Sequence, residues 1–311
     1  MVTVTLNPAI DHAITVPGFR ANTVNRATTA QAVPGGKGIN VASFLAALGV
    51  STTVTGFLGR ANAKRFEAHF ATHGLVDRFV RVEGETRSNL KILNPISGEA
   101  TEINFPGLIP SAEHMAELQS ALDELAQDHE WFVLSGSLPP GLPGTTYRSL
   151  VRRLRDRGCQ VLVDASGDGL RHVLTASPSA IKPNTFELEE ALGTPITTEA
   201  DLLNAGRTLV AHGIDSVVVS RGAQGALFVG SQAALTARYT GQVTIETTVG
   251  AGDALVAGYL AARAKGLTAE STARLAIAAS IAALERRPPT VPSSTIIESI
   301  TPQVEVRLLA G

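Results

Sequence analysis

The chain has 311 residues, 44% hydrophobic and 17% charged, with 26 Lys and Arg against 28 Asp and Glu, for a net charge of −2. That length and composition suit a folded chain with a large core, and the near-neutral balance gives no electrostatic ground for a nucleic-acid or anionic-membrane partner. One cysteine, Cys159, excludes an internal disulfide framework and a multi-cysteine metal site.

The chain opens on MVTVTLNPAI, an alternating strand pattern without a basic leader segment, so no signal peptide is expected. No apolar run approaches the roughly 18 residues of a spanning helix, and a cytoplasmic location is expected. Strand-like runs are predicted at 2–6, 52–58, 131–135, 160–164, 180–182 and 216–220. Helical spacing covers 38–48, 63–73, 112–126, 145–157 and 199–212, and the alanine-rich stretches 253–264 and 269–285 follow. A further β-rich run spans 243–249. This alternation predicts a single α/β domain over 1–311, a mostly parallel sheet with helices on both faces.

Two regions lack helix signals, 12–33 and 85–105. The second reads as a hairpin turning at Asn94-Pro95-Ile96-Ser97-Gly98. Strand parity puts Arg87, Asn89 and Lys91 on one face, so that face presents two cations and an amide. These strands are expected to form a small sheet standing off the main domain as a lid or subunit contact.

Four stretches have the composition of a phosphate chemistry. In PGGKGIN, Gly35, Gly36 and Gly38 precede a helix and Lys37 adds a mobile cation; Gly38 after that lysine rules out a P-loop. In TVGAGD, Gly250, Ala251 and Gly252 bring N–H groups to a helix start beside Asp253. Asp253 suits either a helix cap or a base that takes a proton from a hydroxyl while the N–H groups neutralise a transferred phosphoryl group. In KPNTFELEE, Asn184 and Glu187 fit a capping box equally with a hydrated Mg²⁺ site. In SRGAQGAL, Gly222 and Gly225 turn between two strands where a nucleotide can lie. His69 and His73 lie four apart, but Phe70 stands where a zincin carries Glu, and they read as a helix flank.

In order, TLNPAID, GGKGIN, TRSN, SGSLPPG, VDASG, KPNTFE, SRGAQG and TVGAGD resemble the ribokinase-like (PfkB) family of carbohydrate kinases from Thr5 to about Gly258. Within it the likeness is to the kinases of fructose 1-phosphate, with those of tagatose 6-phosphate close behind. The resemblance implies a ribokinase-like three-layer α/β/α fold with a β-sheet lid that often dimerises, and ATP and Mg²⁺ as cofactors. It implies Asp253 as base, with Gly250, Ala251 and Gly252 as anion hole. Asp11, Gly36 and Asn40 match sugar-binding positions; Asn184 and Glu187 match the metal and phosphate motif; Ser220, Gly222, Gly225 and Thr248 match nucleotide positions. Lys37, Arg87, Lys91 and Arg26 are the cations expected at the sugar phosphate. Relatives acting on fructose 6-phosphate commonly carry arginine where this chain has Glu102, which favours a phosphate at C1. Arg221 and Ala254 depart from the family pattern. A sugar-phosphate sensor without activity is the alternative of a different class.

Overall fold

Apolar runs too short for helices form the layers that position everything else. The computed structural model describes residues 1–286 and 290–309. Strand β1 (Val2–Thr5) leads into β2 (Ala9–Thr15) and β3 (Thr29–Gly35), followed by α1 (Lys37–Ala47), β4 (Thr53–Gly59) and α2 (Ala63–His73). Short strands β5 (Val76–Asp77) and β6 (Val80–Val82) precede the hairpin β7 (Ser88–Leu93) and β8 (Ala100–Ile103). Then come α3 (Ala112–Asp128), β9 (Trp131–Ser135), α4 (Thr146–Arg155), β10 (Gln160–Asp164), α5 (Gly167–Val173) and β11 (Ala180–Ile181). They lead to α6 (Thr185–Leu192), α7 (Glu199–Ala211), β12 (Ser216–Ser220), β13 (Ala226–Gly230) and β14 (Ala234–Tyr239). The chain closes with α8 (Ala251–Ala264), α9 (Ala269–Leu284), α10 (Ser294–Ile300) and β15 (Val304–Leu309).

The large sheet has 11 strands in the order β15-β14-β13-β12-β11-β10-β9-β1-β4-β5, with β6 also on β4. Its pairs from β12 to β6 are parallel, while β13, β14 and β15 add an antiparallel edge. Buried strands such as β9 and β10 are apolar on both faces because both faces are covered. One core joins the sheet to α1, α8, α9 and α10, a second joins it to α3, α4, α6 and α7, and a third packs α2 against α1 and β4. Each fully buried Leu or Val there contributes about 1.5–3 kcal/mol, so these three cores hold the scaffold.

From β1 the strand order runs one way to β4 and the other way to β9 and β10. The crevice at the carboxyl ends of β1 and β9 is therefore a topological switch point, where ligands bind in sheets of this kind. The lid is a separate sheet in the order β3-β2-β7-β8. Its second pair of strands falls inside 85–105, whereas β2 and β3 overrun 12–33 at both ends and residues 16–28 between them form no strand.

The run 243–249 is not a strand. Both edges of β14, the strand before it in the chain, are occupied by β13 and β15, so the run does not form a hairpin with its sequence neighbour. It is held instead through Glu246 N–H and Thr247 N–H donating to the Leu284 carbonyl, at 2.8 and 3.2 Å.

Candidate active site

Parallel register builds the centre of the site. Val4, Leu134 and Val163 are neighbours across β1, β9 and β10, and Val163 pairs with Ile181 on β11. The next residue on each strand end is therefore Thr5, Ser135, Asp164 and Lys182, a polar row on one side of the sheet. Lys182 Nζ lies 3.3 Å from Asp164 Oδ1, and Lys37 Nζ from the start of α1 lies 3.2 Å from the same oxygen. Burial alone would raise the Asp164 carboxyl; the two ammonium groups outweigh it and hold it below the ordinary range. Burial pushes Lys37 down, but Asp164, Asp253 and Glu187 more than reverse this.

Helix α1 starts at the sheet because Gly36 makes room. Its φ is 127°, and a Cβ there would lie 2.9 Å from Thr5 Cγ2 and 3.1 Å from Pro8 Cα. Asn40, one turn on, donates from Nδ2 to Asp253 Oδ2 at 2.8 Å. Asp253 sits in the first turn of α8, 6% exposed, and its carboxylate turns to Asn40 instead of capping its own helix. Burial first, and the Asp164 charge second, push its pKa up to about 6, against the bond from Asn40 and the pull of Lys37 and Lys182. A carboxylate so tuned is ionised at neutral pH and is a stronger base than a free aspartate.

The N-cap of α8 is Gly250, at φ 83°, with no side chain accepting from the first N–H groups. Those donors stay open toward an anion. Lys182 underlies them: a Cβ on Gly252 would be 3.5 Å from Lys182 Nζ. Asp253, an N–H cradle and two ammonium groups thus converge from segments distant in sequence.

Other expected residues are placed differently. Asp11 accepts from Asn89 Nδ2 at 3.0 Å across β2 and β7, and burial raises its pKa. Lys91 pairs with Glu102 directly opposite on β8, at 3.0 Å. Arg87 immediately precedes β7, and like Asn89 it reaches Phe105. It donates from Nη1 to Phe105 O at 2.7 Å, from Nη2 to Asn7 O at 3.1 Å and from Nε to Pro8 O at 3.3 Å. These carbonyls lie where the chain crosses between core and lid, so the guanidinium closes that junction. It also lines a cavity of about 500 Å³ with Asn7, Ser137, Ser166 and Asp168. Arg26 is exposed, between β2 and β3 and apart from the cluster.

Asn184 and Glu187 form a complete capping box at the start of α6. Asn184 Oδ1 accepts from Glu187 N–H at 2.8 Å, and Glu187 Oε2 accepts from Asn184 N–H at 2.9 Å. Oε1 of Glu187 is outside that box. Among the described residues no group of three or more His, Cys, Asp or Glu stands together as a metal cage. The amide and carboxylate oxygens of Asn184 and Glu187 are hard donors that suit a Mg²⁺ keeping most of its waters. Ser220 bridges to Asn184, so the turn Gly222–Gln224 and Gly225 begin beside this box. Thr248 is exposed in the loop before α8.

Asp164 and Lys182 are functional candidates that sequence reasoning passed over. Their signal was available: a carboxylate ends the apolar run VLVD, and a lysine ends AIK. His69 and His73 belong to a structural contact, with ring centroids 4.2 Å apart at an interplanar angle of 38°, and His69 Nε2 lies 3.0 Å from Ser43 Oγ. Cys159 is buried. No helix among the described residues is long and apolar enough to cross a membrane.

The model of pfkB family carbohydrate kinases matches residues 4–296. The chain is 42% identical to 1-phosphofructokinase of Rhodobacter capsulatus, over 99% of this chain and 98% of that one. It is 43% identical to 1-phosphofructokinase of Xanthomonas campestris pv. campestris, over 91% of each. The crystal structure of phosphofructokinase-2 from Escherichia coli in complex with substrates and products superposes with a TM-score of 0.90. Identity is 30%, covering 97% of this chain and 98% of that one.

Proposed function

The chain belongs to the pfkB family of carbohydrate kinases, and from that premise we propose that it transfers the γ-phosphoryl group of ATP to the C6 hydroxyl of fructose 1-phosphate, giving fructose 1,6-bisphosphate and ADP. The observation that carries this reading is Asp253: a buried carboxylate fixed by Asn40 at 2.8 Å, beside the open N–H groups of α8. Asp253 takes the proton of the acceptor hydroxyl as its oxygen attacks the γ-phosphorus and the bond to the ADP oxygen breaks. The N–H groups of Gly250, Ala251 and Gly252 and the ammonium groups of Lys37 and Lys182 neutralise charge on the migrating group.

Asp11, Gly36 and Asn40 hold sugar hydroxyls. Arg87, with N–H groups left over from its carbonyl bonds, meets the sugar's own phosphate from the cavity wall. Lys91 and Arg26 serve the same anion from the lid, Lys91 after partition of its pair with Glu102. Ser220, Gly222, Gly225 and Thr248 follow the nucleotide, and Asn184 and Glu187 orient Mg²⁺ through water. When bound, that ion neutralises phosphate charge. The lid's second face carries Ile14, Leu90, Ile92 and Ile103, the last 45% exposed, and this supports a homodimer joined through the lid.

The test is ADP release with fructose 1-phosphate, tagatose 6-phosphate and fructose 6-phosphate compared by kcat/KM. Fructose 1-phosphate should lead. A lead for either 6-phosphate overturns the substrate assignment, and sugar binding with no ADP formed from any of the three sinks the enzyme reading in favour of a sensor.

A further inference from the structure

The turn after β12 carries Arg221, a charged residue at a position where an apolar one was expected. Its side chain is 13% exposed, although Gly222, Ala223 and Gln224 around it are exposed. The guanidinium is folded back under the turn. Nη1 donates to Glu199 Oε2 at 2.9 Å and Nη2 to Gln224 Oε1 at 3.0 Å. The backbone of the turn closes on itself, Arg221 N–H to Gly225 O at 2.8 Å and Gly225 N–H to Gly222 O at 3.0 Å. Glu199 is the first residue of α7, where the helix dipole favours a carboxylate. Its other oxygen accepts from Arg307 Nη2 on β15. One carboxylate therefore ties three elements together: the turn, the start of α7 and the edge strand β15.

We infer that Glu199 is a positioning residue for nucleotide binding, holding Arg221 beneath the turn so that the backbone of residues 222–225 faces the nucleotide in a fixed shape. This rests on the reading that residues 220–225 carry ATP. An apolar residue at 221 would be held by packing alone, whereas a largely shielded guanidinium needs its acceptors. Without Glu199 the guanidinium loses its charged partner, and the exposed turn is the part free to relax. Because Ser220 bridges to Asn184 and Ser220 N–H donates to Pro183 O at 3.0 Å, a displaced turn also disturbs the edge of the metal and phosphate motif. The sugar side, built on α1 and the lid, shares none of these contacts.

The full chain should be compared as wild type, Glu199→Ala, Arg221→Leu and the double variant, with both substrate KM values, kcat and unfolding midpoints measured. Glu199→Ala should raise KM for ATP about fivefold, with KM for the sugar phosphate and kcat within about twofold. In the Arg221→Leu background the same change should leave KM for ATP within about twofold. An unchanged KM for ATP in Glu199→Ala overturns the inference, as does an equal rise with Leu at 221, since either makes Glu199 merely structural. Hydrogen exchange of residues 220–226 in the unaltered protein separates the two readings. Slowed exchange on adding ATP with an unchanged KM in Glu199→Ala sinks this inference alone; no slowing sinks the nucleotide-turn reading beneath it.

Discussion

Two ammonium–carboxylate pairs of nearly equal length lie in different parts of the molecule, one at the strand ends of the large sheet and one in the lid. Lys37 and Asp164 are 3.2 Å apart at the carboxyl end of the central strand β10, Lys91 and Glu102 3.0 Å apart in the lid. Distance alone would rank them alike, but their surroundings do not. Asp164 is 1% exposed and shared with the buried Lys182, while Glu102 is 54% exposed on the last strand of the lid. Water screens the lid pair, whose net worth is about 0.5 kcal/mol; at the ends of the central strands each charge relies on its partners because desolvation is severe. The strand ends of the core thus hold charges fixed among buried partners, whereas the lid holds charges that water already screens.

The sharpest way to test that contrast is Asp253→Asn, which keeps the shape of the buried cluster and removes its base. Turnover should fall by about 10³-fold while calorimetric affinity for the sugar phosphate changes little; retained turnover would reduce Asp253 to a packing residue. Next, Asp164→Asn leaves two buried or half-buried ammonium groups without their counter-ion. It should lower the unfolding free energy in denaturant by about 3 kcal/mol. Since the Asp164 carboxyl lies below its ordinary 3.8 in the folded chain, its stabilisation is complete above that value and is lost as pH falls. Asp253 has the opposite shift, and it works as the ionised form. The pH profile of kcat/KM should therefore be flat above about 6 and decline roughly tenfold per unit below it; a profile flat down to pH 4 would contradict a raised carboxyl. The smallest effect belongs to the lid. Glu102→Gln should change stability by less than about 0.5 kcal/mol and only modestly relax the preference for fructose 1-phosphate over fructose 6-phosphate. A loss of stability as large as that of Asp164→Asn would erase the difference between the two regions.

The alternation of strands and helices, the lid hairpin and the glycine turns were legible because they depend on neighbours a few residues apart. The resemblance motifs likewise brought Asp253, Asn40 and Asn184 into view. Some chemistry was visible only as an ambiguity: Asn184 and Glu187 fit a capping box as well as a metal motif, and the box forms in full. Parity grouped Arg87, Asn89 and Lys91, but it carried no sign of the three carbonyls at the lid junction to which Arg87 turns. Another feature was misread from local pattern. The run 243–249 alternates like a strand but finds β14 already paired on both edges.

The sequence by itself determined the α/β class, the glycines that start α1 and α8, and the carboxylate at the head of α8, since backbone propensity and capping act within a turn or two of chain. Only the tertiary structure decided that Asp164 would meet Lys37, 127 positions away, and Lys182 from the neighbouring strand. That meeting depends on the register of parallel strands joined by helical crossovers, and no short-range periodicity records which strand ends will lie side by side.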